Sequence, residues 1–130
     1  MLEELKTRVD ALYLEYVFPV LATLRLGEDP AAVACEAELL AAAKAAGIKL
    51  RRYIMPDDLS REDVASLIRE INTDFLISAL LVERPLPAHL DEPALLALVD
   101  PRKVLEPAPC EELLSRVCDA AEAQQAPQTK

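Results

Sequence analysis

Three short apolar runs, PVLATLRL at 19–26, IKLRRYIM at 48–55 and LISALLV at 76–82, each stop at a turn signal and give way to a helix-forming segment. Strand and helix alternating in this way imply right-handed crossovers and a mostly parallel sheet covered on both faces. The expected fold is therefore α/β, a three-layer α/β/α arrangement around a small sheet. Leu and Ala dominate the apolar half of the chain and aromatics make up only 4%, which favours helices on a small sheet over a β-sandwich. A length of 130 residues suits one domain with a real core. Residues 1–123 are read as that domain and QQAPQTK (124–130) as a disordered tail.

The punctuation is specific. Leu2, Leu5, Val9, Leu12 and Tyr16 recur near helical spacing, so residues 2–16 read as one amphipathic helix. Asp29 can cap a helix whose first residue is Pro30 and whose end is marked by Gly47. Ser60 caps the next, with Asp63 at the capping-box position. Asp91-Glu92-Pro93 opens a short helix, and residues 110–123 form a last amphipathic one. Of the sixteen residues 31–46 only Glu36, Glu38 and Lys44 are charged. A helix apolar nearly all round is expected to be buried nearly all round.

Several function classes are excluded. The formal charge is −9, and no Lys/Arg cluster exists to neutralise phosphates, which argues against nucleic acid. Arg51 and Arg52 are neighbours on a strand and so face opposite ways. No apolar run approaches the ~20 residues of a membrane span, and the charged N-terminus MLEELKTRVD is unlike a signal peptide; a cytoplasmic location is expected. Cys35, Cys110 and Cys118 lack Cys-x-x-Cys spacing, so neither a disulfide framework nor a zinc site is expected. His89 has no second His or Cys nearby, and Asp57-Asp58 alone does not make a cation cage. No metal and no cofactor are expected.

In open parallel sheets ligands sit beyond the C-terminal ends of the strands. Three stops lie there: Leu26-Gly27-Glu28-Asp29, Met55-Pro56-Asp57-Asp58 and Glu83-Arg84-Pro85-Leu86-Pro87. Taken in order, LGEDPAA, KAAGI, the MP after the second strand, REINTD and LLVERPLPAHLD resemble one family. They are similar to the catalytic domain of the bifunctional methylenetetrahydrofolate dehydrogenase/cyclohydrolases, which read V-G-D/E-x-P-A-S, Y-V-x-x-K-x-K-A-x-x-x-G-I, L-P, L-N-x-D and L-V-Q-L-P-L-P. The resemblance spans roughly residues 18–106 and implies the aminoacid-dehydrogenase-like N-terminal domain fold. It also implies a folate site here and an NAD(P)-binding Rossmann domain beyond it.

The resemblance assigns site positions one at a time. The family's pterin-stacking tyrosine falls at Cys35 and its catalytic lysine at Leu39. Its serine falls at Ala32, and the glutamine and leucine of its third-strand stop fall at Glu83 and Arg84. Pro85, Leu86 and Pro87 keep the rim, and Glu106 stands nearest the family's later aspartate. Leucine can neither give nor take a proton, and nothing cationic lies one turn from Cys35 to activate its thiol. With Gly27 and Gly47 the only glycines, no G-x-G-x-x-G occurs.

The expectation is a non-catalytic relative acting by binding or assembly, with Cys35, Leu39, Glu83, Pro85, Leu86, Pro87 and Glu106 as the substrate-side positions. Alternatives are a module binding folate or another small molecule, and an active subunit partnered by a separate NAD(P)-binding chain. A second copy, another protein or the chain's own last helix is expected to cover the apolar helix 31–46.

Overall fold

The computed structural model describes residues 2–84 and 86–125. In chain order the elements are α1 (Leu2–Leu14), β1 (Val20–Leu26), α2 (Pro30–Ala46), β2 (Lys49–Met55), α3 (Arg61–Thr73), β3 (Ala79–Val82), α4 (Glu92–Leu96) and α5 (Cys110–Gln125). The three strands are parallel in the order β2-β1-β3, with Val20 opposite Lys49 and Leu21 opposite Ala79. This is the three-layer α/β/α architecture that the alternation of elements demands.

Central β1 is buried at every position, as a strand covered on both faces must be. Its alternating side chains divide the core. Leu21, with Ala79 and Leu81 of β3, packs against α1, α2 and α5; Ala22, Leu24 and Leu26, with Leu80 and Val82, pack against α3 and α4. The same alternation separates the paired arginines of β2: Arg51 meets Asp74 at 3.0 Å, whereas Arg52 approaches Glu36 at 3.8 Å.

Local chemistry holds the helix ends. Asp29 Oδ1 accepts from the amides of Ala31 and Ala32, and Ser60 Oγ from that of Asp63. Gly47 closes α2 at φ 83°, the left-handed conformation that glycine adopts without a Cβ clash.

The structure corrects several boundaries. α1 stops at Leu14, and Tyr16 lies beyond it, 81% exposed. β3 begins at Ala79 rather than 76, because Phe75 and Leu76 sit in an exposed turn whose Leu76 amide is taken by Asp74 Oδ1. α5 continues through Gln124, whose side-chain amide donates to the Ser78 and Arg102 carbonyls; residues 126–130 of the expected tail lie outside the described residues. A further parallel bridge, Leu80 to Val104, extends the sheet beyond β3.

The expectation for α2 fails in an informative way. Its buried residues are Ala32, Glu36, Leu39, Ala43 and Ala46, a single narrow stripe. Alanine dominates the exposed side, and a methyl group carries too little apolar area for its exposure to cost much.

Candidate functional site

The C-terminal ends of the strands meet as their stops suggest. Leu26, Gly27, Glu28 and Asp29 after β1, Asp57 and Asp58 after β2, and Leu86, Pro87 and His89 after β3 line one open cleft of about 830 Å³. Gly27 makes this junction possible. Its φ is 81°, and a Cβ there would come within 2.8 Å of Asp57 Cβ, closer than any side chain tolerates. Four carboxylates border the cleft, with His89 as its one titratable base. His89 Nε2 lies 3.0 Å from the Leu59 carbonyl, which requires the proton on that nitrogen.

A second group of side chains lies between β1, α2 and the end of β3. Glu36 of α2 is 2% exposed, Arg25 of β1 is 7% exposed, and Glu83 after β3 is 5% exposed. Arg25 Nε donates to Glu36 Oε1 at 3.3 Å, Thr23 Oγ1 donates to Glu36 Oε2 at 3.3 Å, and the Arg25 guanidinium also reaches the Gly27 carbonyl. Glu36 is thus well supplied with donors. Glu83 is not: Oε1 has no hydrogen-bond partner. Burial pushes its carboxyl above the usual range and the charge of Glu36 adds to this, while the Cys35 thiol and the Arg25 charge oppose it.

Cys35 is exposed on α2, 48 positions from Glu83 in sequence, yet the two groups lie near enough to shift each other's titration. Burial and the neighbouring anion push the Cys35 thiol up to about 11. A thiol raised in this way is a poor nucleophile near neutral pH.

Other expected positions separate. Arg84 Nη2 pairs with Glu106 Oε2 at 3.4 Å. Leu86 and Pro87 line the cleft; Pro85 lies outside the described residues. Leu39 is fully buried in the cluster that includes Leu113, Leu114 and Val117 of α5, so the chain's own last helix covers it. Among the described residues, no group of three or more His, Cys, Asp and Glu side chains is placed to hold a metal ion. No helix among them is long and apolar enough to cross a membrane. Arg25 and Glu36 are not among the positions the resemblance assigns, although Arg25 is the one charge in its apolar strand and Glu36 one of three in an apolar helix. That pattern is the signal for a buried pair.

A family model described as the tetrahydrofolate dehydrogenase/cyclohydrolase catalytic domain matches residues 1–106. The chain belongs to this family. Curated relatives include "Bifunctional protein FolD 2" of Pseudomonas savastanoi pv. phaseolicola, 33% identical over 103 residues. That match covers 79% of this chain and 34% of the relative. "Bifunctional protein FolD" of Lactobacillus delbrueckii subsp. bulgaricus is 36% identical over 101 residues, 78% of this chain and 36% of the relative.

Among solved structures, the methylenetetrahydrofolate dehydrogenase-cyclohydrolase of Trypanosoma brucei, complexed with NADP cofactor and inhibitor, superposes with a TM-score of 0.76 at 25% identity. It covers 78% of this chain and 35% of that one. The Campylobacter jejuni FolD enzyme gives 0.74 at 26% identity, covering 76% and 35%. The chain thus spans about a third of the length of these tetrahydrofolate dehydrogenase/cyclohydrolase relatives. The described residues do not suit the pyrophosphate of an NADP such as the Trypanosoma brucei structure contains. The one strand-to-helix turn with a glycine, at Gly27, is already capped by Asp29 and bordered by Glu28 and Asp57, and these anions would repel phosphate.

Proposed function

We propose that these 130 residues act without cyclohydrolase catalysis, as a binding or assembly member of the tetrahydrofolate dehydrogenase/cyclohydrolase family. One observation carries the reading. The position that the resemblance gives to the catalytic lysine is Leu39, fully buried beneath α5. A cyclohydrolase needs a group that gives and takes a proton within reach of the reacting carbon. Leucine has no such group, and the thiol of Cys35, one turn earlier, is pushed up to about 11.

A second reading, a small-molecule binding module, is favoured by the cleft at the strand ends and its Leu86-Pro87 wall. Its acidic border works against a ligand with an anionic tail and in favour of a neutral or cationic one. Two measurements on the purified chain separate the readings. No hydration of a methenyl-tetrahydrofolate above the spontaneous rate is expected, and turnover would overturn the first. Calorimetry with tetrahydrofolate at millimolar concentration tests the second for folate, and absence of heat would remove folate as its ligand.

A further inference from the structure

The two edges of the sheet differ. Beyond β3 the chain returns at residues 103–105: the Leu80 amide donates to the Lys103 carbonyl and the Leu105 amide to the Leu80 carbonyl. At the other edge β2 pairs with β1 alone. The Met55 carbonyl accepts from the Gly27 amide, so Met55 turns its peptide groups toward β1. Alternate residues of a parallel strand turn to opposite edges. Lys49, Arg51 and Tyr53 therefore face β1 as well, while Leu50, Arg52 and Ile54 present their N–H and C=O groups outward. No hydrogen bond among the described residues reaches those outward groups. β2 runs KLRRYIM over seven residues, with an unbroken register and no proline. Such an edge is a template for another strand, and proteins ordinarily cover, shorten or interrupt it.

A recess accompanies the edge. Tyr53 of β2 and Leu67, Glu70, Ile71, Thr73 and Asp74 on the α3 side line a space of about 370 Å³. Among the described residues none from β1 or β3 borders it, so it lies over β2 and the space beyond its free edge. Tyr53 and Leu67 are only partly buried there, packed against the α3 side of the core. On the opposite face of the strand Ile54 is 46% exposed. The side chains of an added strand point alternately to the two faces, and on the α3 side they would enter this recess. Backbone bonds to a sheet edge, with a pocket for alternate side chains, are the means by which an extended segment docks.

Charge decides the occupant. Lys49, Arg51 and Arg52 give β2 the densest run of cations in a chain of net charge −9. Arg51 is bonded to Asp74 at 3.0 Å, but Arg52 only approaches Glu36 at 3.8 Å with its side chain 46% exposed, and Lys49 is exposed. A second copy paired antiparallel along the whole strand would centre on Arg52 and set it against itself, which is destabilising. The charges that stop β2 from pairing with its own copy thus favour a segment carrying carboxylates. We infer that the free edge of β2 is a docking site for an extended, acidic segment of another protein. That segment adds a fourth strand, sets a carboxylate across from Arg52 and inserts an apolar side chain into the recess beside Tyr53. This gives the assembly reading a partner class but uses none of the residues that carry that reading, so cyclohydrolase turnover would overturn the reading and leave this surface untouched.

The probe is a capped octapeptide alternating valine and glutamate, titrated into the full chain and followed by amide hydrogen exchange. The outward amides of Leu50, Arg52 and Ile54 should exchange fast in the free chain and slow at least about tenfold at saturating peptide, while those of Arg51 and Tyr53, turned to β1, change little. The same peptide methylated at every backbone nitrogen should not bind. Ile54→Pro removes an outward donor without touching a bond to β1 and should weaken binding at least about tenfold, whereas Ile54→Thr should bind as the parent does. Arg52→Glu, which leaves the backbone alone, should reverse the preference toward a peptide alternating valine and lysine. No binding at millimolar peptide, equal binding of the methylated version, or binding without protection of the three outward amides would each overturn the inference.

Discussion

Replacing Glu83 by glutamine keeps the shape of the side chain and removes its charge. The carboxyl is 5% exposed, and one of its oxygens has no donor. The nearby cation, Arg25, is already engaged with Glu36 at 3.3 Å. Burial raises the Glu83 pKa in the folded protein, and the sign follows from linkage. The folded state prefers the protonated acid, so Glu83 stabilises the fold fully below the ordinary carboxylate range. That stabilisation is lost as the pH rises through the folded pKa, opposite to a carboxylate in a good ion pair.

A buried polar atom without a partner costs about 1–3 kcal/mol. Because the glutamine amide needs partners of its own, the lower end is expected, about 1 kcal/mol of added stability near neutral pH. Urea denaturation of both proteins from pH 4 to pH 8 reads this directly. The advantage of Glu83→Gln should be largest at the alkaline end and shrink toward the acid end. The Cys35 thiol gives a second readout, since it is pushed up to about 11 in part by Glu83. At pH 8 about one such thiol in a thousand is ionised, against about a quarter for a free cysteine. Iodoacetamide labelling of Cys35, followed on its own peptide by mass spectrometry, should be slow in the parent and faster in the variant. Equal stability differences at every pH, or labelling unchanged by the substitution, would refute the reasoning.

Other substitutions probe the remaining features. Leu39→Lys, which puts a lysine where the resemblance places the catalytic one, buries an ammonium group beneath α5 and should cost about 3 kcal/mol or more, visible as a lost or strongly lowered thermal transition and with no gain of cyclohydrolase activity. Glu36→Ala should cost about 3–5 kcal/mol by stranding Arg25, whereas the double change Arg25→Leu, Glu36→Val should be close to neutral; denaturant titration of the three proteins separates the outcomes. Lys103 is 2% exposed, and its Nζ closes the end of α3 on the carbonyls of Ile71 and Asp74 at 2.8 and 2.7 Å. Lys103→Met leaves those carbonyls without their donor and should cost about 2 kcal/mol, with faster amide exchange at the end of α3.

The sequence by itself determined the layered α/β plan, because short apolar runs stopped by Gly27, Pro56 and Pro85 and helices capped by Asp29 and Ser60 are local facts. It also carried the family, since the retained stops occur in order. Positions within one helix, such as Cys35 and Leu39, were likewise legible, since four residues is one turn. Only the tertiary structure decided what those positions face. Leu39 lies under α5, 74 residues or more downstream where Leu113 and its neighbours pack, and Cys35 comes under the charge of Glu83 across 48 positions. Arg25 finds Glu36, and Arg84 turns to Glu106. Tyr16 fits the helical period of α1, yet a left-handed turn leaves it exposed. Propensity and period act over a few residues; which charge is paired and which apolar face is covered depends on elements brought together from far along the chain.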